Sequence, residues 1–326
     1  MKSVVRVGAC LLLCLVVLPV HAEDRPSQKV LISFDGALHN EQWERSLALA
    51  AETGASFTYF LSCTYLLTWD TRREYRPPDR AAGASNVGFG FSREDVAQRL
   101  AHIIDADSVG HEIANHGCGH FDGGGWTRAE WLHEFSEFDR IVANAYEING
   151  IDGEPANWRR LAVTMNGGFR APYLSVGPAL FTALDEHGFA YDASTVSRQP
   201  ALPARENGIA TFALPMIAEG PQARPVLAMD YNLFVRHSGG FEREDRDGAF
   251  EERAYRAFMD AFEAEYGGDR IPLQIGFHFT LMNGGAYWNA LERFARDVCV
   301  RADVACITYR EAMVSDTLAT GSTTGG

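Results

Sequence analysis

Three imidazoles and a thiol fall within ten residues of this chain, at His111, His116, Cys118 and His120. Imidazole nitrogen is a good ligand for zinc-like ions, and a catalytic metal needs about three protein ligands with one position open to water. His116 and His120 are four residues apart, so they share a face if the segment forms a helix or a tight loop. The spacing predicts a metal site whose third ligand comes from elsewhere in the chain. The alternative is that these histidines lie on the surface or are hydrogen-bonded in the core.

Other residues that could take part in chemistry come directly after apolar runs. Residues 29–35 form a nearly continuous apolar run that ends in Asp35, which is typical of a parallel strand buried on both faces. The carboxyl ends of parallel strands meet at one edge of a sheet, so we expect the side chains that follow such strands to converge. Besides Asp35, those residues are the His116 loop, Arg170, Asp192, Asp230 and His278.

Strands and helices alternate along most of the chain. This order predicts an α/β fold with a parallel sheet that is closed into a barrel or left open. Strands are predicted at 29–35, 57–61, 111–115, 168–170, 189–191, 211–215, 226–230, 272–278 and 304–308. Helices are predicted at 40–53, from Ser92 to 104, from Thr127 onward with a capping box to Glu130, at 175–187, around 255–266 and at 288–298.

The first 22 residues have the layout of a secretory signal peptide. Lys2 and Arg6 precede an apolar run at 7–20, and Ala22 stands just before the first acidic residue. The run has 14 residues, fewer than the ~20 that span a bilayer as a helix. We therefore expect cleavage after Ala22 and an exported protein, periplasmic or secreted.

The mature chain is acidic. Its net charge changes from −14 to −16 once the two basic residues of the signal peptide are removed. This charge disfavours nucleic acid and anionic membranes as partners, because no basic stripe is present to neutralise phosphates. The interior shows no linker, so one catalytic domain is predicted over 23–313, with a long loop inserted at 69–91 and a disordered tail at 314–326.

Four cysteines remain after cleavage, namely Cys63, Cys118, Cys299 and Cys306. An even number in an exported protein is compatible with two disulfides, which allows three pairings. Cys299 with Cys306 is the natural local pair, and Cys63 with Cys118 then follows. The alternative is that Cys118 is a free thiol or a metal ligand.

Five short motifs occur in order along nearly all of the mature chain. They are Ser33-Phe34-Asp35, His116-Gly117-Cys118-Gly119-His120, Arg170-Ala171-Pro172-Tyr173, Tyr191-Asp192-Ala193-Ser194 and Ile275-Gly276-Phe277-His278. Their order and approximate spacing resemble the NodB-type polysaccharide deacetylases, the carbohydrate esterases of family four. The resemblance implies a distorted, incomplete (β/α) barrel. It also implies removal of N- or O-acetyl groups from an acetylated oligo- or polysaccharide, such as a chitooligosaccharide, peptidoglycan or an exopolysaccharide.

The resemblance implies a role for each motif residue. His116 and His120 would hold a divalent metal, often zinc, with cobalt or another transition metal as the alternative. That metal would polarise the acetamide carbonyl and lower the pKa of its water. Asp35 would be the general base, and Arg170 would keep it ionised and oriented.

Three more residues would complete the catalytic set. The backbone N–H of Tyr173 would donate to the developing oxyanion. His278 would be the general acid that protonates the departing amine, and Asp192 would orient the catalytic groups. His111 is expected to be structural or supporting, because the ligands of the family match the later pair of histidines.

The first motif departs from the family pattern. The second aspartate of the family, its third metal ligand, is Gly36 here. Three alternatives are open: Asp35 is itself ligand, base or both, which we favour; His39 or Asp122 completes the ligand set; or metal binding is weak or lost. Gly117 also replaces a hydroxyl residue and the fourth motif lacks its usual tryptophan, so we expect a remodelled substrate pocket.

Three functions are compatible with these residues. The leading hypothesis is metal-dependent hydrolysis of an amide or ester bond in an acetylated saccharide. A catalytically weak or inactive carbohydrate-binding relative is the first alternative, because Gly36 removes a ligand. A hydrolase of a small non-sugar amide is the second, because it would use the same metal site and the same acid.

Overall fold

The computed structural model describes residues 25–314, so the predicted signal peptide and all but the first residue of the predicted tail lie outside the described residues. Ten strands and nine α-helices are found in this range. The strands are β1 (Gln28–Gly36), β2 (Thr58–Leu61), β3 (Glu112–Asn115), β4 (Gly168–Phe169), β5 (Tyr191–Ser197), β6 (Ala204–Glu206), β7 (Ile209–Glu219), β8 (Arg224–Leu227), β9 (Leu273–His278) and β10 (Val304–Cys306). The helices are α1 (Asn40–Thr53), α2 (Arg93–Ser108), α3 (Arg128–Ala143), α4 (Ala145–Asn149), α5 (Trp158–Thr164), α6 (Leu180–His187), α7 (Asp230–Ser238), α8 (Ala249–Gly267) and α9 (Ala286–Val298).

The strands form one mainly parallel sheet in the order β10-β1-β2-β3-β4-β5-β7-β6. β9 pairs with β1 in parallel, and β6 and β8 both run antiparallel to β7. On the far side, the chain after β8 meets β9 at an isolated bridge between Met229 and Gly276 rather than along a full ladder. The sheet therefore curls without closing. The predicted α/β fold, a distorted and incomplete barrel, is confirmed.

Local sequence signals account for where several helices begin and end. Gly54 ends α1 with a φ of 72°, a left-handed conformation that costs glycine little. The Ser92 side chain accepts a hydrogen bond from the Asp95 N–H at the start of α2. Thr127 and Glu130 form the predicted capping box of α3. These caps fix the helices that cover the sheet.

The core lies on both faces of β1. Val30, Ile32 and Phe34 belong to a large cluster under the helices, whereas Leu31 points into a smaller cluster on the other face. Burial on both faces is the reason that β1 reads as a continuous apolar run. α3 also buries one apolar stripe, which consists of Trp131, Phe135, Phe138 and Val142.

Some predicted boundaries are wrong. β5 begins at Tyr191, where the sequence predicted a strand to end, so Asp192 is its second residue. α6 begins at Leu180 instead of 175, because the residue before Pro178 is disfavoured in helical conformation. β8 stops at Leu227, and Asp230 begins α7, where its carboxylate accepts from the Tyr231 N–H and lies at the positive end of the helix.

The segment between β2 and α2 contains two short 3-10 turns, Cys63–Leu66 and Arg72–Glu74. An isolated bridge joins Thr68 to Gly90 across it. The Asn86 N–H donates to the carbonyl of Gly119 at 2.8 Å, which ties this long loop to the histidine segment. Within residues 25–314, no helix is both long and apolar enough to cross a membrane.

Candidate active site

Residues from four of the five motifs line one pocket at the carboxyl edge of the sheet. The pocket has a volume of about 460 Å³. Asp35 of β1 and His278 of β9 are register partners. Leu61 of β2 pairs with Gly36 on one side and with Asn115, the residue just before His116, on the other. The parallel register thus brings together what the sequence separates by more than 200 residues. The motif residues in the lining are Asp35, His116, His120, Ala171, Tyr173 and His278.

Asp35 is paired with Arg170 as predicted. Arg170 Nη1 lies 2.8 Å from Asp35 Oδ1, and both side chains are buried. Burial raises the pKa of Asp35, but the positive charges of Arg170 and of the protonated His278 lower this pKa by more, so the net pKa is below the ordinary value. Asp35 is therefore an ionised carboxylate at neutral pH.

The guanidinium of Arg170 is fixed on every side. Nη1 also donates to Ser33 Oγ at 2.8 Å, Nε donates to the carbonyl of Ala193 at 3.1 Å, and Nη2 donates to the Tyr309 hydroxyl at 2.8 Å. Its carbon lies 4.2 Å from the centre of the Phe60 ring, within cation–π range. Tyr309 belongs to none of the five motifs, and the sequence offered no sign of its role.

The rings of the two later histidines, His116 and His120, lie edge to face with their centres 5.2 Å apart. Nδ1 of His116 is 2.7 Å from the Arg170 carbonyl. A carbonyl can only accept, so Nδ1 carries the hydrogen and Nε2 of the neutral ring holds a lone pair. Burial lowers the pKa of His116 to about 3 and lowers that of His120 as well, despite the opposing charge of Asp35. Nδ1 of His120 is buried without a hydrogen-bond partner among the described residues.

The loop that carries these histidines is held by groups that the sequence analysis missed. The Cys118 N–H donates to Glu134 Oε1 at 2.7 Å, and the Tyr75 hydroxyl donates to Glu134 Oε2 at 2.7 Å. Asn86 Nδ2 donates to the carbonyl of His120 at 3.0 Å. Glu134 is buried. The one sign of its role in the sequence was its position, because it is an acidic residue next to the apolar stripe of α3.

Both disulfides are present, Cys63–Cys118 and Cys299–Cys306. The first joins the turn after β2 to the loop between the two histidines, and both of its cysteines are fully buried. Cys118 is therefore neither a free thiol nor a metal ligand. Gly117 has a φ of 65°, and a Cβ there would lie 3.2 Å from Glu134 Oε1, which explains why a hydroxyl residue is absent at this position.

The backbone at Gly36 does not suit an aspartate. Its φ is 91°, and a Cβ there would lie 3.3 Å from Cε2 of Tyr65. His39 packs against Phe91, and Asp122 accepts from the Gly124 N–H and from a serine hydroxyl; neither lines the pocket. In residues 25–314 no group of three or more His, Cys, Asp or Glu side chains is arranged to hold a metal ion. The pocket lining therefore gives no support to His39 or Asp122 as the third ligand, and the identity of that ligand stays a prediction.

His278 is paired with Asp230, a residue that was predicted to lie at this edge of the sheet but for which the sequence indicated no role. Its Nδ1 lies 2.7 Å from Asp230 Oδ1, and its backbone N–H donates to Oδ2 at 2.8 Å. Burial lowers the pKa of His278, but the buried Asp230 carboxylate raises it more, with a smaller contribution from Asp35, to about 8. His278 is therefore mostly protonated at neutral pH.

Asp192 lies farther along the sheet and contacts the third motif through Ser194. The Ser194 N–H and hydroxyl both donate to its carboxylate, and Ser194 Oγ accepts from the Ala171 N–H at 2.7 Å. Burial raises the pKa of Asp192 to about 6. Tyr173 has a φ of 59°, and its ring packs edge-on against His120 at 4.6 Å.

His111 lies away from the pocket. Its Nδ1 accepts a hydrogen bond from the Phe57 N–H at 2.9 Å, and its ring stacks on that of Phe57. Burial lowers the pKa of His111 to about 4, so the ring is neutral. This contact ties the start of β3 to the start of β2, which is a structural task.

Comparisons with known proteins identify the fold. No family model and no curated protein matches this sequence. Two solved structures assigned as polysaccharide deacetylases are similar. The one from Mycobacterium smegmatis is 18% identical, with a TM-score of 0.51 over 93% of this chain and 94% of that chain. The one from Pseudomonas aeruginosa PAO1 is also 18% identical, with a TM-score of 0.50 over 88% of this chain and 90% of that chain. This chain has the NodB-type fold of the polysaccharide deacetylases.

Proposed function

We propose that this protein is a hydrolase that deacetylates a saccharide, cleaving an amide or ester bond in a substrate such as a chitooligosaccharide, peptidoglycan or an exopolysaccharide. The observation that carries the proposal is that Asp35 and His278 lie on adjacent strands and line the same pocket. Arg170 keeps the carboxylate ionised, and Asp230 keeps the imidazole protonated. Two groups whose environments push their pKa values apart are suited to be base and acid of one reaction.

The reaction uses these two groups in turn. Asp35 accepts a proton from water as the water adds to the acyl carbonyl. His278 then gives its proton to the departing nitrogen or oxygen as the bond to carbon breaks, which yields acetate and a free amine or hydroxyl. Arg170 holds Asp35 in place, and the N–H of Tyr173 donates to the carbonyl oxygen as it becomes negative. Asp192 supports that loop through Ser194.

A divalent metal, zinc or another transition ion, belongs to the proposal. His116 and His120 would hold it together with Asp35, since two neutral imidazoles, one buried and one half-buried, beside a carboxylate are a suitable donor set. The unpaired Nδ1 of His120 also fits a site that lacks one of its partners. When bound, such an ion polarises a carbonyl and makes water more acidic. The protein is further proposed to be exported, which the two disulfides support.

Acetate release and metal content test the proposal together. The chain without residues 1–22 is incubated with acetylated chitooligosaccharides, peptidoglycan fragments and acetylated xylan in the presence of zinc or cobalt. His116→Ala should lose both metal and activity, whereas His102→Ala on α2, a matched histidine change away from the pocket, should keep both. No acetate from any substrate under these conditions would refute the proposal.

One observation favours a second candidate, a carbohydrate-binding relative with weak or no catalysis. Gly36 removes the usual third ligand, and the described residues hold no preformed three-ligand group. Metal analysis separates the two candidates. Stoichiometric metal that is lost in His116→Ala supports the enzyme, and metal-free protein that still binds glycan supports the second candidate.

A further inference from the structure

The active-site pocket continues into a second cavity. This cavity has a volume of about 690 Å³ and shares three lining residues with the pocket, Leu227, Tyr231 and Asn232. We call it the apolar groove. Its other lining residues are Val196, Met216, Pro225, Val226, Val235 and Arg236. The shared residues make the groove an extension of the pocket that contains Asp35 and His278.

A continuous apolar surface connects the two cavities. Met216 of β7 is the register partner of Leu227 of β8, and both belong to one small cluster with Met229 and Leu174. Leu174, Leu227 and Met229 line the active-site pocket, whereas Met216 and Leu227 line the apolar groove. A flexible apolar group bound against this wall in the pocket could therefore extend into the groove along apolar side chains.

The chemistry of the apolar groove disfavours a sugar ring as its occupant. Most ring carbons of a sugar carry a hydroxyl or another polar group, and burying those groups against valine, methionine and proline would leave them unpaired. The one charged residue in the lining, Arg236, is already engaged: Nη2 donates to the Pro225 carbonyl at 2.9 Å, and Nη1 lies 3.7 Å from the Glu219 carboxylate. A methylene chain needs no such partners.

We propose that the apolar groove binds the distal carbons of the acyl group that is removed, so that the enzyme prefers acyl chains longer than acetyl, such as butyryl and hexanoyl. The inference rests on the proposed hydrolytic function. Nδ1 of His278 is held by Asp230, so the leaving amine has to reach Nε2, and we assign the wall of Leu174, Leu227 and Met229 in the same pocket to the acyl group. Each methylene that leaves water in the groove raises kcat/KM about fourfold.

A series of acyl lengths tests this preference. The substrates are 4-nitrophenyl acetate, butyrate and hexanoate, together with chitotriose N-acylated with the same three groups. We expect kcat/KM to rise from acetyl to hexanoyl in both series. Hydrolysis of acetyl substrates with a flat or falling series would overturn the inference and leave the proposed function intact. A flat series with a gain for octyl glycosides would also overturn it, in favour of an apolar aglycone. No hydrolysis at any length would refute the proposed function itself.

Two variants from different elements locate the effect. Val196→Trp on β5 and Val235→Trp on α7 each fill the apolar groove from an exposed position, 58% and 45% accessible. Either should lower the ratio of hexanoyl to acetyl hydrolysis about tenfold or more. Val300→Trp, at a site 60% accessible beyond the end of α9 and outside both linings, is the control and should leave the ratio unchanged. An unchanged ratio in both groove variants would overturn the inference.

Discussion

Asp230→Asn should move the alkaline limb of the activity profile to lower pH. His278 has a pKa of about 8 in place of the ordinary 6.5, because Asp230 outweighs the effect of burial. This difference corresponds to about 2 kcal/mol of preference for the protonated ring. Without the Asp230 charge, burial is opposed mainly by Asp35, so the pKa of His278 should fall below 6.5. At pH 7.5 the protonated fraction should drop from roughly three quarters to a tenth or less, a loss of roughly eightfold or more in rate from protonation alone.

The assay is kcat/KM for acetate release from an N-acetylated chitooligosaccharide between pH 5 and pH 10, because expulsion of an amine needs a proton. 4-Nitrophenyl acetate is the internal control, since its leaving group needs none and its rate should depend far less on His278. Glu44→Gln, which removes a carboxylate 3.8 Å from His102 on the helical layer, is the matched protein control. If the alkaline limb of Asp230→Asn stays near pH 8, Asp230 does not set the pKa of His278 and the assignment of His278 as the acid fails.

Three further outcomes follow from the contacts around the pocket. Tyr309→Phe removes a 2.8 Å hydrogen bond to the buried Arg170, so kcat should fall about tenfold with little change in KM. The control Tyr266→Phe, which removes the exposed contact with Asp303, should change neither constant. A change in KM alone for Tyr309→Phe would contradict its positioning role. Burial raises the pKa of Glu134 to about 7 from 4.5, so between these pH values the folded state keeps a proton that the unfolded chain has lost. The free energy of unfolding should therefore fall by about 3 kcal/mol between pH 4.5 and 7. Denaturant titrations should show a flatter dependence of this free energy on pH for Glu134→Gln, and an unchanged dependence would refute the assignment. Replacing Cys63 and Cys118 by serine opens a loop with a separation of 55 residues and should lower the free energy of unfolding by roughly 4 kcal/mol. The same change at Cys299 and Cys306, with a separation of 7, should lower it by roughly 2 kcal/mol. Equal losses would argue against loop-closure entropy as the source of the stabilisation.

The sequence determined the fold class and most of the pocket lining. Asp35, His116, Arg170 and His278 each follow or end an apolar run, and a parallel sheet gathers the ends of such runs at one edge. That rule needs only the order of elements along the chain, so these residues could be placed without coordinates. The capping signals of α1, α2 and α3 were equally local, since a cap depends on residues within one turn of the helix end.

Only the tertiary structure decided which residue supports which. Asp230 and His278 are 48 residues apart, and Tyr309 is 139 residues from Arg170. Such pairs depend on the lateral placement of α7 beside β9 and of the last described segment beneath Arg170, which no local pattern encodes. The sequence likewise showed that Gly36 replaces an aspartate. The left-handed backbone at Gly36 and the Tyr65 ring beside it do not suit an aspartate at this position. Both depend on packing between segments that are distant in the chain.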